Sequence, residues 1–148
     1  MTPYLVAGDK LTAAQLYALL RLRSDVFIVE QEAAYADVDG LDLLPSTTHL
    51  WCEGPTAYLR LLTEPDGTAR IGRVCVAVEA RGTGLGAVLM AAAVEHLGNV
   101  PMVLDAQTYA LPFYEKFGFV VAGERYLEDG IEHVTMRRPV LPEVRTGG

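Results

Sequence analysis

The sequence lacks what would suit it to a membrane, an oxidising compartment or a nucleic acid. Its longest run without a charged residue, Gly82 to Val94, falls short of the ~20 apolar residues that span a bilayer, and three glycines interrupt its start. The N-terminus shows no basic segment followed by an apolar one, so no secretory signal is read there and a cytoplasmic location is expected. Only two cysteines occur, Cys52 and Cys75, both within apolar strand-like segments where a free thiol packs as a small hydrophobe. His49 and Cys52 stand at an H-x-x-C spacing, but no second pair completes a metal site. Basic residues number 12 against 19 acids, for a net charge of −7, and they do not cluster. That excludes a surface built to neutralise nucleic-acid phosphates.

What is present describes one globular domain. The chain has 148 residues, 51% of them hydrophobic, which is enough for a single sizeable core. Its charge is unevenly placed: between Asp25 and Asp42 lie six acids (Asp25, Glu30, Glu32, Asp37, Asp39, Asp42) and no Lys or Arg. Such a run reads either as a solvated loop or as an acidic rim that attracts a cationic substrate.

Thr12 and Gln15 fit a capping box, so a helix is predicted from there through roughly residue 28, with a break near Ser24. Three strands are predicted next, Thr47–Glu53, Thr56–Thr63 and Arg70–Val78, joined by the turns Gly54-Pro55 and Glu64-Pro-Asp-Gly67 into an antiparallel meander. Gly84–Leu97 reads as a helix ending at Gly98, and Val100–Ala106 as a strand parallel to the third by a right-handed crossover. A short helix, Leu111–Phe117, precedes strands at Phe119–Arg125 and Ile131–Arg138 around the Glu128-Asp-Gly130 turn. Residues 141–148 show no pattern and are expected to be a loose tail.

The sharpest local signal is Arg81-Gly82-Thr83-Gly84-Leu85-Gly86, between a strand and a helix. Glycines let the backbone approach a ligand closely, and a helix N-terminus offers unpaired amides, so the segment suits a phosphate or pyrophosphate. Gly82-x-Gly84-x-x-Ala87 also fits a dinucleotide fingerprint, with Asp105 in place of the ribose-binding acid. Its context does not: the preceding strands form a meander, and too little chain follows for a second half.

Through this loop and further motifs the sequence resembles the GCN5-related N-acetyltransferases (GNAT), and within them the ElaA-like branch. Arg81, Gly84 and Gly86 meet the superfamily pattern Q/R-x-x-G-x-G/A. Leu22–Gln31, Asp37-x-Asp39-Gly40, Thr47-Thr48-His49, Phe113-Tyr114-x-x-Phe117-Gly118-Phe119 and Glu128-Asp129-Gly130-Ile131-x-His133 look like the ElaA-like pattern, and together they span nearly the whole chain. The resemblance implies an α/β (α+β) fold, a mixed and mostly antiparallel sheet flanked by helices, as one acetyltransferase domain over residues 1–140. It implies acetyl-CoA as cosubstrate. Val74, Cys75 and Val76 would pair with the pantetheine arm as with an added strand, and amides from Gly82, Thr83, Gly84, Leu85, Gly86 and Ala87 would hold the pyrophosphate beside Arg81. Gln107, where many relatives carry an Asn, would bind the cosubstrate arm. Tyr114 would protonate the departing thiolate.

The implied reaction is direct attack of a primary amine of a small molecule or peptide on the thioester, with Tyr114 as acid. The base is left open among Asp105, His49, Glu30, Asp37 and water. Two other readings stand beside it, a non-catalytic acyl-CoA-binding regulator and a nucleotide-binding oxidoreductase. The expected partners are acetyl-CoA and an amine acceptor, a cationic one if the acidic run forms a rim; the resemblance adds a homodimer, a state the residues themselves do not specify.

Overall fold

A computed structural model describes residues 2–142. Helix α1 (Ala13–Arg23) begins as predicted: the Thr12 hydroxyl accepts from the Gln15 amide at 3.1 Å while the Gln15 side chain accepts from the Thr12 amide at 2.9 Å. Two donors that a helix start leaves unpaired are thereby satisfied. The apolar spacing continues past Arg23, but the winding widens into a π-helical segment over Ser24–Glu30, which is the physical form of the break expected near Ser24. Such widened turns occur frequently at functional sites.

Strands β1 (Tyr4–Ala7), β2 (Thr48–Cys52), β3 (Ala57–Thr63) and β4 (Ala69–Val76) pair antiparallel in succession. Helix α2 (Leu85–Leu97) ends at Gly98, whose φ of +72° suits a residue without a side chain. It carries the chain to β5 (Met102–Gln107), parallel to β4 as the crossover requires. After α3 (Leu111–Glu115) come β6 (Val120–Val121), β7 (Tyr126–Glu128) and β8 (Ile131–Arg138), giving a mixed eight-stranded sheet in the order β1-β2-β3-β4-β5-β8-β6, with β7 also on β8. The expected fold class is the observed one.

Two expectations change. The predicted strand Phe119–Arg125 is not continuous: Val121 pairs with Met136 and Tyr126 with His133, so Ala122–Arg125 stand opposite only Val134 and Thr135. Surplus residues on one side of a ladder must loop out, and Gly123 has no side chain to resist it. The tail is tied at its start, because Asn99 donates to the Leu141 carbonyl at 2.9 Å and accepts from its amide at 2.8 Å. Residues 143–148 of that tail lie outside the described residues.

Each face of the sheet has its own core. Helices α2 and α3 cover one face with Leu89, Met90, Ala93 and Tyr114 against Leu59, Ile71, Leu104, Val134 and Met136. Helix α1 and the π-helical segment cover part of the other, burying Leu19, Leu22 and Val26 against Trp51, Tyr58 and Cys75. On that second face, Asp105 remains exposed and Gln107, His133 and Thr135 are half-buried. These residues lie beyond the part of that face that α1 and the π-helical segment bury.

Candidate functional site

The site begins with a bulge. Tyr58 pairs with Cys75 and Arg60 with Gly72, so Arg73 and Val74 together oppose the single residue Leu59, and Arg73 takes φ +53°. A bulge bends its strand and sharpens the twist. Strand β4 accordingly turns away from β5: their ladder holds only Ala69 with Met102 and Arg70 with Val103, although both strands run on to Val76 and Gln107. Beyond Arg70 the facing edges of β4 and β5 part into an open cleft. Ala77 donates to the Thr56 carbonyl on the β3 side; alternation along a strand therefore turns the Val76 amide and carbonyl toward the cleft. Val74, Cys75 and Val76 line its edge together.

Just past that edge lies the glycine segment. Gly82 and Gly84 have φ of +78° and +84°, and a Cβ at either would meet nothing within 4 Å, so the loop is bent by its backbone and left open on the outside. The Thr83 hydroxyl donates to the Ala80 carbonyl at 2.5 Å and fixes the turn. Gly84 is the N-cap of α2 and supplies no side-chain cap; the first intrahelical bond is Val88 to the Gly84 carbonyl at 3.1 Å. The amides of Leu85, Gly86 and Ala87 are therefore free of helical partners, at the positive end of a 13-residue helix. A Cβ at Gly86 would meet the Phe113 ring at 3.5 Å and the Val76 side chain at 3.7 Å, so the helix start lies close against these two side chains. Arg81 reaches back across the loop, donating from Nε to the Val76 carbonyl at 3.2 Å and pairing both terminal nitrogens with the Glu30 carboxylate.

Tyr114 comes from α3 beneath the cleft and packs edge-on against Phe113 and Phe119. Burial holds its hydroxyl well above the ordinary tyrosine range, so it keeps its proton at neutral pH. Gln107 ends β5 at the cleft mouth. Cys75 is buried, and burial pushes its thiol up to about 12, a poor setting for a nucleophile.

The sequence of residues 56–139 matches the family described as "Acetyltransferase (GNAT) domain". The GNAT family includes this chain. It is 41% identical over 142 residues to Protein ElaA of Escherichia coli, covering 90% of this chain and 93% of that one. A UPF0039 protein of Mycobacterium bovis is 46% identical over 141 residues, covering 90% of each chain. The crystal structure of an acyl-CoA N-acyltransferase from Pseudomonas aeruginosa superposes with a TM-score of 0.84 at 44% identity, covering 93% of this chain and 99% of that one.

In this GNAT domain the acidic run is partly drawn into ion pairs: Asp37 and Asp42 are buried, while Asp25, Glu30, Glu32 and Asp39 stay exposed. Asp37 pairs with Arg23 at 3.0 Å and Arg73 at 3.0 Å, Asp42 with Arg23 at 2.6 Å and Arg60 at 3.0 Å, and Asp39 with Arg60 at 2.5 Å. With Glu30 on Arg81, only Asp25 and Glu32 of the six acids make no ion pair among the described residues. Arg23 is fully buried and its fork is filled by Asp37 Oδ2, the Asp37 carbonyl and Asp42 Oδ1. The hydrogen bond from Arg60, with a smaller pull from Arg73, holds the Asp39 carboxyl down at about 2. Burial opposes charge on Asp42, but hydrogen bonds from Arg23 and Arg60 overcome it and keep that carboxyl below its usual range.

This lattice accounts for most of the base candidates. His49 is buried, donates from Nε2 to the Asp42 carbonyl at 2.8 Å and accepts at Nδ1 from the Tyr58 hydroxyl at 2.6 Å; burial pushes its pKa down. It lies under α1, away from the cleft. Glu30 is held low by Arg81, and Asp37 by its two arginines is already occupied. Asp105 does lie on the uncovered face, but it accepts from Thr135 at 2.8 Å and pairs with Arg70 at 2.6 Å, and these bonds outweigh burial to keep it ionised. The arginines that complete the lattice were missed in the sequence, although Arg60 within the apolar run Tyr58-Leu-Arg-Leu-Leu62 is the kind of charge that must be paired when its strand is buried.

Proposed function

We propose that the chain is an acetyl-CoA-dependent N-acetyltransferase acting on a primary amine of a small molecule or peptide by direct attack. The observation that carries this reading is the parting of β4 from β5 immediately beside an uncapped, glycine-led helix start. An extended pantetheine arm fits the open edge of Val74, Cys75 and Val76 as a strand would. The amides from Gly82 to Ala87, with Arg81, suit the pyrophosphate, and Gln107 faces the arm from the opposite wall. When bound, acetyl-CoA supplies the activated acyl group. The Val76 amide polarises its carbonyl, and Tyr114, kept protonated by burial, delivers a proton to sulfur. Cys75, with its thiol raised to about 12, takes no part, which supports attack by the amine itself.

Because arginines of the chain already match four of the six acids between Asp25 and Asp42, the proposal carries no preference for a cationic acceptor. No helix among the described residues is long and apolar enough to cross a membrane, which is compatible with the cytoplasmic location that completes the reading. The test is thermal shift with acetyl-CoA against NAD, followed by thiol release with a panel of alkyl amines, polyamines and N-terminal peptides. Stabilisation by acetyl-CoA and thiol release that depends on an amine are expected. Stabilisation by NAD alone would overturn the reading, and binding of acetyl-CoA without release to any amine would reduce the protein to an acyl-CoA-binding regulator.

A further inference from the structure

The lattice leaves the proposed reaction without a base, yet one group on the uncovered face fits the task. His133 lies on β8 directly opposite Gln107, the last residue of β5 at the cleft mouth. Paired residues in an antiparallel ladder point to the same face with Cβ atoms about 4.5–5.5 Å apart. The neighbours fix which face: Val134 and Met136 enter the core under α2, so His133 and Thr135 point the other way, beside Asp105. The covered face holds Tyr114; the open face holds His133. An amine reaching the cleft has to come from the open side, since α2 and α3 occupy the other.

The ring is also set in a useful form. His133 Nδ1 lies 2.7 Å from the Ile131 carbonyl, an acceptor only, so Nδ1 carries the hydrogen and Nε2 the lone pair. Tyr126 stacks on the ring at 5.9 Å and 21°, holding its plane. Among the described residues Nε2 has no hydrogen-bond partner. On the same face of the sheet lie Asp105, paired with Arg70, and Tyr126 and Glu128 from β7, while the adjacent Glu132, with its partner Arg125, alternates to the other face.

We propose that His133 is the general base that takes the proton from the acceptor ammonium, with Nε2 as the accepting atom. This inference rests on the acetyltransferase reading above. The first proton passes from the ammonium to Nε2; the amine nitrogen then forms its bond to the acetyl carbon as the carbon–sulfur bond breaks, and the Tyr114 hydroxyl gives its proton to sulfur. The second proton, shed by nitrogen as the amide forms, restores the Tyr114 hydroxyl through solvent, and His133 releases the first to water. Ammonium and thioester become amide, thiol and one proton. Acid and base thus act from opposite faces of the sheet on a centre held between β4 and β5.

The test uses the full chain labelled with nitrogen-15 in histidine, His133→Gln identifying the signal. The expected result is the Nδ1–H tautomer, with signals that move when acetyl-CoA is added; the Nε2–H tautomer overturns the inference even where acetyl-CoA binds. Kinetics follow with the alkyl amine that releases most thiol in the screen above, phenethylamine and spermidine being the first probes. His133→Gln is expected to lower turnover on the order of a hundredfold, to abolish the fall in rate toward low pH and to leave acetyl-CoA affinity unchanged. His133→Ala should regain rate when imidazole is supplied, which a purely structural histidine would not do. An unchanged pH profile in His133→Gln overturns the role of His133 alone, whereas absence of turnover by the unmodified protein overturns the acetyltransferase reading and the base with it.

Discussion

Asp42→Ala removes one carboxylate from between two buried guanidinium groups, and its cost follows from what each loses. Arg23 gives up its 2.6 Å contact but keeps Asp37 Oδ2 at 3.0 Å and the Asp37 carbonyl at 2.7 Å; Arg60 gives up 3.0 Å and keeps Asp39. A hydrogen bond to a charged group contributes about 1.5–3 kcal/mol, and breaking a buried pair from one side costs about 3–5 kcal/mol. Because both arginines retain partners, the lower end applies, about 3 kcal/mol. The assay is urea unfolding at neutral pH, where a slope of about 2 kcal/mol per molar places the midpoint about 1.5 M lower. Asp42→Asn, which keeps one acceptor oxygen, should fall between the parent and the alanine variant. The difference should also narrow in strong acid, where Asp42 loses its charge in the parent as well. An alanine variant within 1 kcal/mol of the parent would show that the lattice does not hold this region of the fold, and the reasoning would fail.

Gly84→Asp should abolish acetyl-CoA binding, measured by calorimetry, since it sets a carboxylate against the pyrophosphate and forces a side chain onto φ +84°. Tyr114→Phe should lower turnover by at least tenfold in thiol-release assays while leaving acetyl-CoA affinity intact, because in the proposed reaction the hydroxyl acts only as the thioester breaks. Cys75 should resist iodoacetamide at pH 8 in the native protein, monitored by mass spectrometry, because its thiol titrates near 12. Asp39 has a folded pKa near 2 against an unfolded value of about 3.9, so its stabilising contribution is complete above pH 4 and disappears as pH falls toward 2; a thermal melting series over that window should lose part of this decline in Asp39→Asn.

Local signals were legible in the sequence and pairing partners were not. The capping box at Thr12 and Gln15, the turn at Glu64–Gly67 and the glycines at Gly82–Gly86 each act within a few residues, so their chemistry is written consecutively. The ion pairs of the acidic run are not legible because its arginines come from α1, β3 and β4, 14 to 36 positions away for Arg23 and Arg73 on Asp37. The strand at Phe119–Arg125 was overextended for the same reason: only the register on β8 reveals four residues facing two. His133 was visible within a motif, but its alignment with Gln107 and its fixed tautomer exist only once β5 and β8 are side by side.

The Arg73 bulge sets the phase of β4. Before it, Ala69 and Ile71 enter the core beneath α2; after it, the odd-numbered Cys75 and Ala77 enter the core beneath α1, while Val74 joins the α2 side. One surplus residue has moved every later side chain to the other face. The same residues in strict alternation, with no bulge at Arg73, would present Val74 to α1 and the Cys75 thiol to α2, and the edge would continue along β5 where it now stands clear. The opening proposed for the cosubstrate and the division of the interior into two cores therefore both follow from a single backbone irregularity between Gly72 and Cys75.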